Sequence, residues 1–386
     1  MPPIDSYDCY SLQCIKDNTS LLTKDALDKI NTLIVQEGHQ LLDARLTKQL
    51  NIKTDSFVVK SNVHYPTDSS LLFDAMKYLI NLVGTLANKH GISGWREDKY
   101  YIRKIRTLKR KATSIKHSTS KTEGVIQKRE LMITEAYKEL INLCQLMLTK
   151  LKSTFELLKQ SNYIKEGQVE LFKEFVGHAH RQIDQINRRV ILKQVIPHSE
   201  KVFSLFNTFT EWISKGKAGV PVELGLRVAI STDQHGFILI HKTMEGEQDV
   251  DVAISIITKV KEHFDNVYSA SFDRGYYSPS NQEELSKLVQ KVILPKKGKI
   301  SKNEQDKIRA DKEYMILRRK HSAVESNINA LENHALEGCK DRGIDNFRKY
   351  VSMSVVAHNM HLIGALVQQK LQKQLRYKEA NIRLAA

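Results

Sequence analysis

The sequence predicts an α/β protein: a mixed sheet flanked by helices, interrupted after its first strand by a long, basic helical insertion. Three observations carry this. A β-rich run at 51–60 stands alone between helical stretches, a charged helical texture fills roughly residues 70–195, and from 222 onward short strands alternate with helices.

The elements follow in order. Residues 20–50 read as helix, with Leu27, Ile30, Leu33 and Ile34 at helical spacing and Thr23 as an N-cap. NIKTDSFVVK (51–60) switches to strand composition and carries Asp55. NVHYPTDSSLLFDAM turns at Pro66 and opens a helix capped by Thr67 or Asp68. Apolar residues then recur at Tyr137, Leu140, Cys144, Met147, Leu151, Phe155 and Leu158, a seven-residue pattern that predicts a long helical hairpin or bundle. Trp95 and Trp212 read as core or hinge anchors. SKGKAGVP (214–221) is a Gly/Lys boundary. VELGLRVAIST (222–232) and FILIHKTM (237–244) read as a hairpin around DQHG, 249–263 as an amphipathic helix opened by Asp249 or Asp251, 267–273 as a strand, 279–290 as a helix and 291–297 as a strand. Helices run from there to the end. Without the insertion the order is β-β-β-α-β-α-β-α.

Bulk chemistry narrows the function classes. Of 386 residues, 41% are hydrophobic and 27% charged, the balance of a foldable chain. Lys and Arg number 60 against 44 acids, a net +16 that favours a polyanionic partner, nucleic acid ahead of an anionic membrane surface. The stretch 95–121 concentrates ten Lys or Arg with two acids and interleaves Trp95, Tyr100 and Tyr101. Its Arg103, Arg106, Lys109 and Arg110 are the candidates for phosphate contact. The four cysteines match no zinc spacing and suggest reduced thiols. The start, MPPIDSYDCYSLQ, lacks the order of a signal peptide, and no uninterrupted apolar run reaches membrane-spanning length, so a cytoplasmic protein is expected. KGKAG (215–219) lacks Walker spacing, and His178 and His180, two apart on a helix, do not share a metal-binding face.

Asp273 poses the sharpest question. SFDRGYYSPSN ends a strand on a carboxylate and turns at Gly275. Asp favours turns for solvation, and a strand end can equally hold a ligand. A three-stranded start with a parallel fourth strand would set Asp55 and Asp273 side by side, as in the ribonuclease H-like fold. Glu325, on a helix with Val324, Ile328 and Leu331, is the third acid on offer. Three carboxylates from separate elements suit magnesium, which takes oxygen ligands and keeps several waters.

KTDSFVVKSNVHYPTDSSLL (53–72), IPHSEKVFSLFNTFTEWISKGKAGVPVELG (196–225), SFDRGYYS (271–278), VILPKKGK (292–299) and RRKHSAVESNINALENHALEGCKDRGIDNFRKYVSMSVVAHNMHLIG (318–364) resemble, in order, blocks of bacterial insertion-sequence transposases of the DDE class. The resemblance spans about 20–370. It implies a ribonuclease H-like core at 51–62 and 220–365, a basic helical insertion at 63–219, an N-terminal helical region at 1–50 and a basic C-terminal helix or tail at 366–386. It implies Asp55, Asp273 and Glu325 as catalytic residues and ligands of two Mg²⁺ or Mn²⁺ ions. The reaction implied is cleavage at transposon ends and transfer of the 3′-OH to target DNA, by a homodimer or higher oligomer on double-stranded DNA, with no membrane partner. Members often carry a longer N-terminal end-recognition region, so this chain is either shortened there or uses its basic insertion instead. Many also place Lys or Arg seven residues after the glutamate, where this sequence has Glu332. Arg274, Arg318, Arg319 and Lys320 are then the candidate DNA contacts near the core, with Arg342, Arg348 and Lys349 behind them. His64 and Tyr276 are further residues near the motifs. The alternatives are a ribonuclease H-like nuclease without strand transfer and a non-catalytic DNA-binding remnant.

Overall fold

The computed structural model describes residues 10–116, 122–214, 222–299 and 301–385. The chain divides into two compact units, one of residues 1–62 and 209–386, the other of residues 63–208. Helices α1 (Leu12–Leu21), α2 (Lys24–Leu41) and α3 (Ala44–Thr47) precede strand β1 (Leu50–Ser61). The second unit is built on α4 (Asp68–Lys89), α5 (Asp98–Lys116), α6 (Glu123–Gln160) and α7 (Glu166–Ile186). The first unit resumes with β2 (Glu211–Ser214), β3 (Val222–Thr232), β4 (Ile238–Met244), α8 (Asp249–His263), β5 (Val267–Phe272), α9 (Pro279–Leu288) and β6 (Lys291–Ile293). It ends with α10 (Lys302–Ala310), α11 (Lys312–Lys320), α12 (Ala323–Leu331), β7 (Gly338–Cys339) and α13 (Ile344–Ala385).

The sheet of the first unit is mixed and open, seven strands in the order β2-β3-β1-β5-β6, with β4 also on β3 and β7 also on β1. Strands β1, β3 and β4 pair antiparallel, whereas β1 with β5 and β5 with β6 are parallel. Being central, β1 is buried on both faces, and its two parities serve two cores. Leu50 and Ile52 join Val252, Ile256 and Leu285 from α8 and α9. Phe57 and Val59 join Val324, Phe347, Val351 and Val355 from α12 and α13.

Two strands differ from expectation. Glu211–Ser214 lies in the span read as insertion, yet it pairs with β3, Trp212 opposite Leu224. Four residues are too few to show an alternation. The strand expected over 291–297 stops at Ile293, because Pro295 has no N–H for a ladder. Thr23 caps α2 and Thr67 caps α4 as the sequence suggests. The N-cap of α8 is Gln248 instead, whose N–H donates to Asp251 Oδ2 at 2.8 Å. The C-terminal stretch from 366 to 385 continues α13 without a break.

In the second unit the seven-residue pattern of α6 is buried throughout. Phe155 stacks on Phe172 at 3.7 Å and Tyr78 on Phe175 at 3.9 Å. Trp95 is fully buried, its Nε1–H donating to Thr154 Oγ1 at 3.0 Å with Lys150 Nζ 4.7 Å from the ring centre. Two helices, Asp68–Lys89 and the Ile344–Tyr377 part of α13, are long and apolar enough to cross a membrane by length and composition, with polar or charged residues interrupting the apolar run of each. The apolar side chains of α4 fill the core of this unit, and the first turns of α13 pack on the sheet. The segment 215–221, with KGKAG, and residues 117–121 of the basic stretch lie outside the described residues.

Candidate active site

The site lies where β5 leaves β1. The parallel pairing ends with Thr54 opposite Phe272, and β1 next meets a parallel neighbour only at Lys60, opposite Gly338 of β7. Asp55 and Asp273 are the residues that follow the last paired positions. Asp55 shares its parity with Phe57 and Val59 and so belongs to the face covered by α12 and α13. Glu325 lies in the first turn of α12.

Electrostatics ties these acids together. Asp55 is half-buried, and burial lifts its carboxyl from 3.8 to about 6. The Ser56 N–H, donating to Asp55 Oδ1 at 2.8 Å, works against that rise, and the charges of Asp273, Asp249 and Glu325 add to it. Asp273 and Glu325 are exposed, and among the described residues no Lys, Arg or His forms an ion pair with either or with Asp55. Three further carboxylates thus act on Asp55, and none of the four is held in an ion pair among the described residues.

Three residues at this site were not singled out from sequence. Lys53 stands two residues before Asp55, on the same strand face, and its Nζ donates to the Asp233 carbonyl at 2.9 Å. Burial lowers its ammonium pKa, Asp233 opposes that, and Lys320 reinforces it. His321 stands four residues before Glu325. Its Nδ1 is 2.9 Å from Ser271 Oγ, and burial depresses the imidazole against the pull of Asp273 and Glu325. Both spacings, i+2 on a strand and i+4 beside a helix start, were available as signals. Asp249, read only as a helix-opening acid, accepts from Ser56 Oγ at 2.6 Å, a contact across 193 residues that no local pattern announces.

Asp233 anchors the floor of the same unit. It is fully buried at the β3–β4 turn, accepting from the His235 and Phe237 N–H groups at 2.8 and 3.0 Å. His39 Nε2 lies 2.7 Å from its other oxygen. This carboxylate, with its own ring of donors, explains the Asp of DQHG as a turn lock.

Gly275 answers to the protein's own packing. A Cβ at 275 would sit 2.9 Å from Asp249 Oδ2, so the protein's own carboxylate fills that space. Tyr276 is fully buried against Phe272, and its hydroxyl, beside Ser56 and near Asp249 and Asp55, has no hydrogen-bond partner among the described residues.

The basic candidates divide by place. Arg274 is exposed in the turn after Asp273, and Arg318 (half-buried), Arg319 and Lys320 form the last turn of α11. Arg318 and Lys320 act electrostatically on His321 and Lys53, which puts them at the site's rim. Arg103, Arg106, Lys109 and Arg110 lie on α5 of the second unit, as does the His64 partner Asp74 on α4, 2.9 Å away. Glu332 lies instead beside Lys60 and Glu337 in a separate cavity of about 550 Å³.

Comparison with protein-family models, curated proteins and solved structures finds no match for this chain. Its site is read from its own geometry.

The acids were also tested as a cation site. Among the described residues no three His, Cys, Asp or Glu side chains already stand as a ligand cluster. The donor chemistry nonetheless fits a hard divalent ion: oxygen donors only, mutually repelling, and unpaired by base.

Proposed function

We propose that this chain is a DDE-class DNA transposase whose first unit is a ribonuclease H-like catalytic core. The observation that carries the reading is the placement of Asp55 and Asp273 just past the last pairing of two adjacent parallel strands, with Glu325 in the first turn of α12 and both outer acids acting on the charge of Asp55. The strand directions support it: an antiparallel trio β1, β3, β4 is extended by parallel β5 and β6 on the other side of β1.

Asp55, Asp273 and Glu325 would hold Mg²⁺ or Mn²⁺, two ions by the family resemblance. Such ions, when bound, activate an attacking oxygen and stabilise a leaving one. The chain's own residues do the rest. Arg274, Arg318, Arg319 and Lys320 offset phosphate charge around the acids. Lys53 fixes the strand that carries Asp55 to the β3–β4 turn, and His321 ties the start of α12 to β5 through Ser271. The second unit brings the exposed cations of α5 to the DNA backbone, where contacts position a duplex without reading bases.

The test uses purified protein, Mg²⁺ or Mn²⁺, and a plasmid carrying the DNA that flanks the gene. Nicks at repeated ends, followed by joining of those 3′ ends to a second plasmid, are expected. Cleavage without joining would support a nuclease instead, and salt-sensitive binding without cleavage a DNA-binding remnant.

A further inference from the structure

We propose that Asp249 is a positioning residue that sets the spacing of the Asp55 and Asp273 carboxylates. It bonds β1 through Ser56 and packs into the turn after β5 at Gly275. This rests on the reading of Asp55 and Asp273 as the catalytic pair.

The geometry separates holding from ligating. Side chains alternate along a strand, so Ser56 leaves β1 on the opposite face from Asp55. Ser56 has the parity of Leu50 and Ile52, whose core is built with α8, and Asp249 is the first residue of α8. One oxygen of Asp249 accepts from Ser56 Oγ at 2.6 Å. The other occupies the space a side chain at 275 would need, 2.9 Å from a Cβ there. A single carboxylate thus bonds the residue after Asp55 and fills the side-chain space of a residue two beyond Asp273. It does so from behind the sheet, away from the face shared with Glu325.

Tyr276 supplies the second observation. It is fully buried in the core that includes α8, and its hydroxyl lies beside Ser56, short of a full hydrogen bond, and near the charges of Asp249 and Asp55. A buried hydroxyl held so loosely is rare, and a small shift of β1 or of the turn after β5 makes or breaks its bond to Ser56. The bracket therefore links the middle of β1 to the turn after β5, which no ladder bond joins beyond Thr54 and Phe272.

The test reads Mn²⁺-dependent nicking of supercoiled plasmid DNA together with backbone hydrogen exchange. The amides of Tyr276 and Tyr277 bond to the Asp273 and Arg274 carbonyls, both at 3.2 Å, and report the turn directly. Asp249→Ala should lower kcat about 10- to 100-fold, the cost of slight misplacement, with KM for DNA unchanged. It should also speed exchange at both amides. Asp249→Asn keeps an acceptor oxygen for Ser56 and should recover most of the lost kcat. Ser56→Ala, the milder change should Asp249→Ala fail to fold, should fall in the same direction. Adding it to Asp249→Ala should cost little more, as expected of partners in one contact. An Asp249→Ala or Ser56→Ala protein with wild-type kcat overturns the proposal. So does an Asn variant as inactive as the Ala variant, since Asp249 would then act through its charge. If the wild type nicks no DNA, the catalytic reading falls, and unchanged exchange in Asp249→Ala overturns the bracket separately.

Discussion

Asp55 and Asp273 each follow directly on the last paired residues of two adjacent parallel strands, Thr54 and Phe272. There the β1–β5 ladder stops, while Asp55 stays paired with Ile230 of β3. Burial and the nearby charges of Asp273, Asp249 and Glu325 all disfavour the ionised form of Asp55.

The first prediction is a dependence of stability on pH. The carboxyl of Asp55 is raised from 3.8 to about 6 on folding, so the folded state binds its proton more tightly than the unfolded chain does. Its contribution is full below about pH 4 and is lost as pH rises through about 6. The upper bound is about 3 kcal/mol. Asp55→Asn should therefore be more stable than wild type at pH 7 in chelator, and the gap should close by pH 4. Thermal unfolding across that range decides it, and a gap independent of pH would sink the account. Adding Mn²⁺ at pH 7 should raise the Tm of the wild type more than that of the Asn variant.

The sequence conveyed the layers better than the joints. Strand–helix alternation after residue 222 predicted a mixed sheet flanked by helices, and the seven-residue pattern of α6 predicted the helical bundle, because both are local periodicities. Strand β2 has no periodicity to show. Asp249 and Ser56 meet only after the chain has passed through the whole second unit and the β3–β4 hairpin. Lys53 and His321 are within reach, since strand geometry puts Lys53 on the face of Asp55 and His321 sits in the turn that leads into the helix of Glu325.

The second prediction separates site acids from other acids. Asp273→Asn and Glu325→Gln should each abolish Mn²⁺-dependent plasmid nicking while leaving Tm nearly unchanged, because both side chains are exposed and an amide keeps their shape. Glu332→Gln should nick at the wild-type rate, as Glu332 lines a cavity with Lys60 and Glu337. Nicking by either of the first two variants would remove that residue from the site.

The third prediction has the opposite pH sign. His241 is buried on β4, with Nε2 2.9 Å from Ser352 Oγ and 3.6 Å from Asp28 Oδ1. Burial depresses its imidazole pKa; Asp28 pulls it up, while Lys24 and Lys259 push it further down. A depressed folded pKa gives stability that is present above about pH 6.5 and lost as pH falls. His241→Gln should flatten the acid side of the stability profile, leaving the Asp55 limb intact. An acid limb that persists unchanged in this variant would rule out His241 as its source.

The last prediction concerns the proposed DNA path on α5. Arg103, Arg106 and Arg110 are exposed there. Lys109 is not equivalent to them. It is half-buried, its Nζ lies 5.3 Å from the centre of the Phe73 ring, and burial lowers its pKa against the pull of Asp74. Arg106 also lies over Phe73, at 5.4 Å, but keeps its edge in solvent, where a guanidinium can fork onto a phosphate. Three of the four cations are thus free to release counterions, and Lys109 serves the packing of α5 on α4. Changing the three arginines together to Gln should reduce the slope of log K against log[salt] by about 2.7, at roughly 0.9 per phosphate. Affinity should fall alike on unrelated duplexes, because backbone contacts carry no sequence information. Lys109→Gln alone should barely move the slope and should lower Tm instead. A fluorescence-anisotropy titration at several salt concentrations measures both. An unchanged slope in the triple variant would take α5 off the DNA and turn the search to Arg274 and the last turn of α11. A slope change in Lys109→Gln equal to that of a single arginine variant would show that its burial does not withhold it from phosphate.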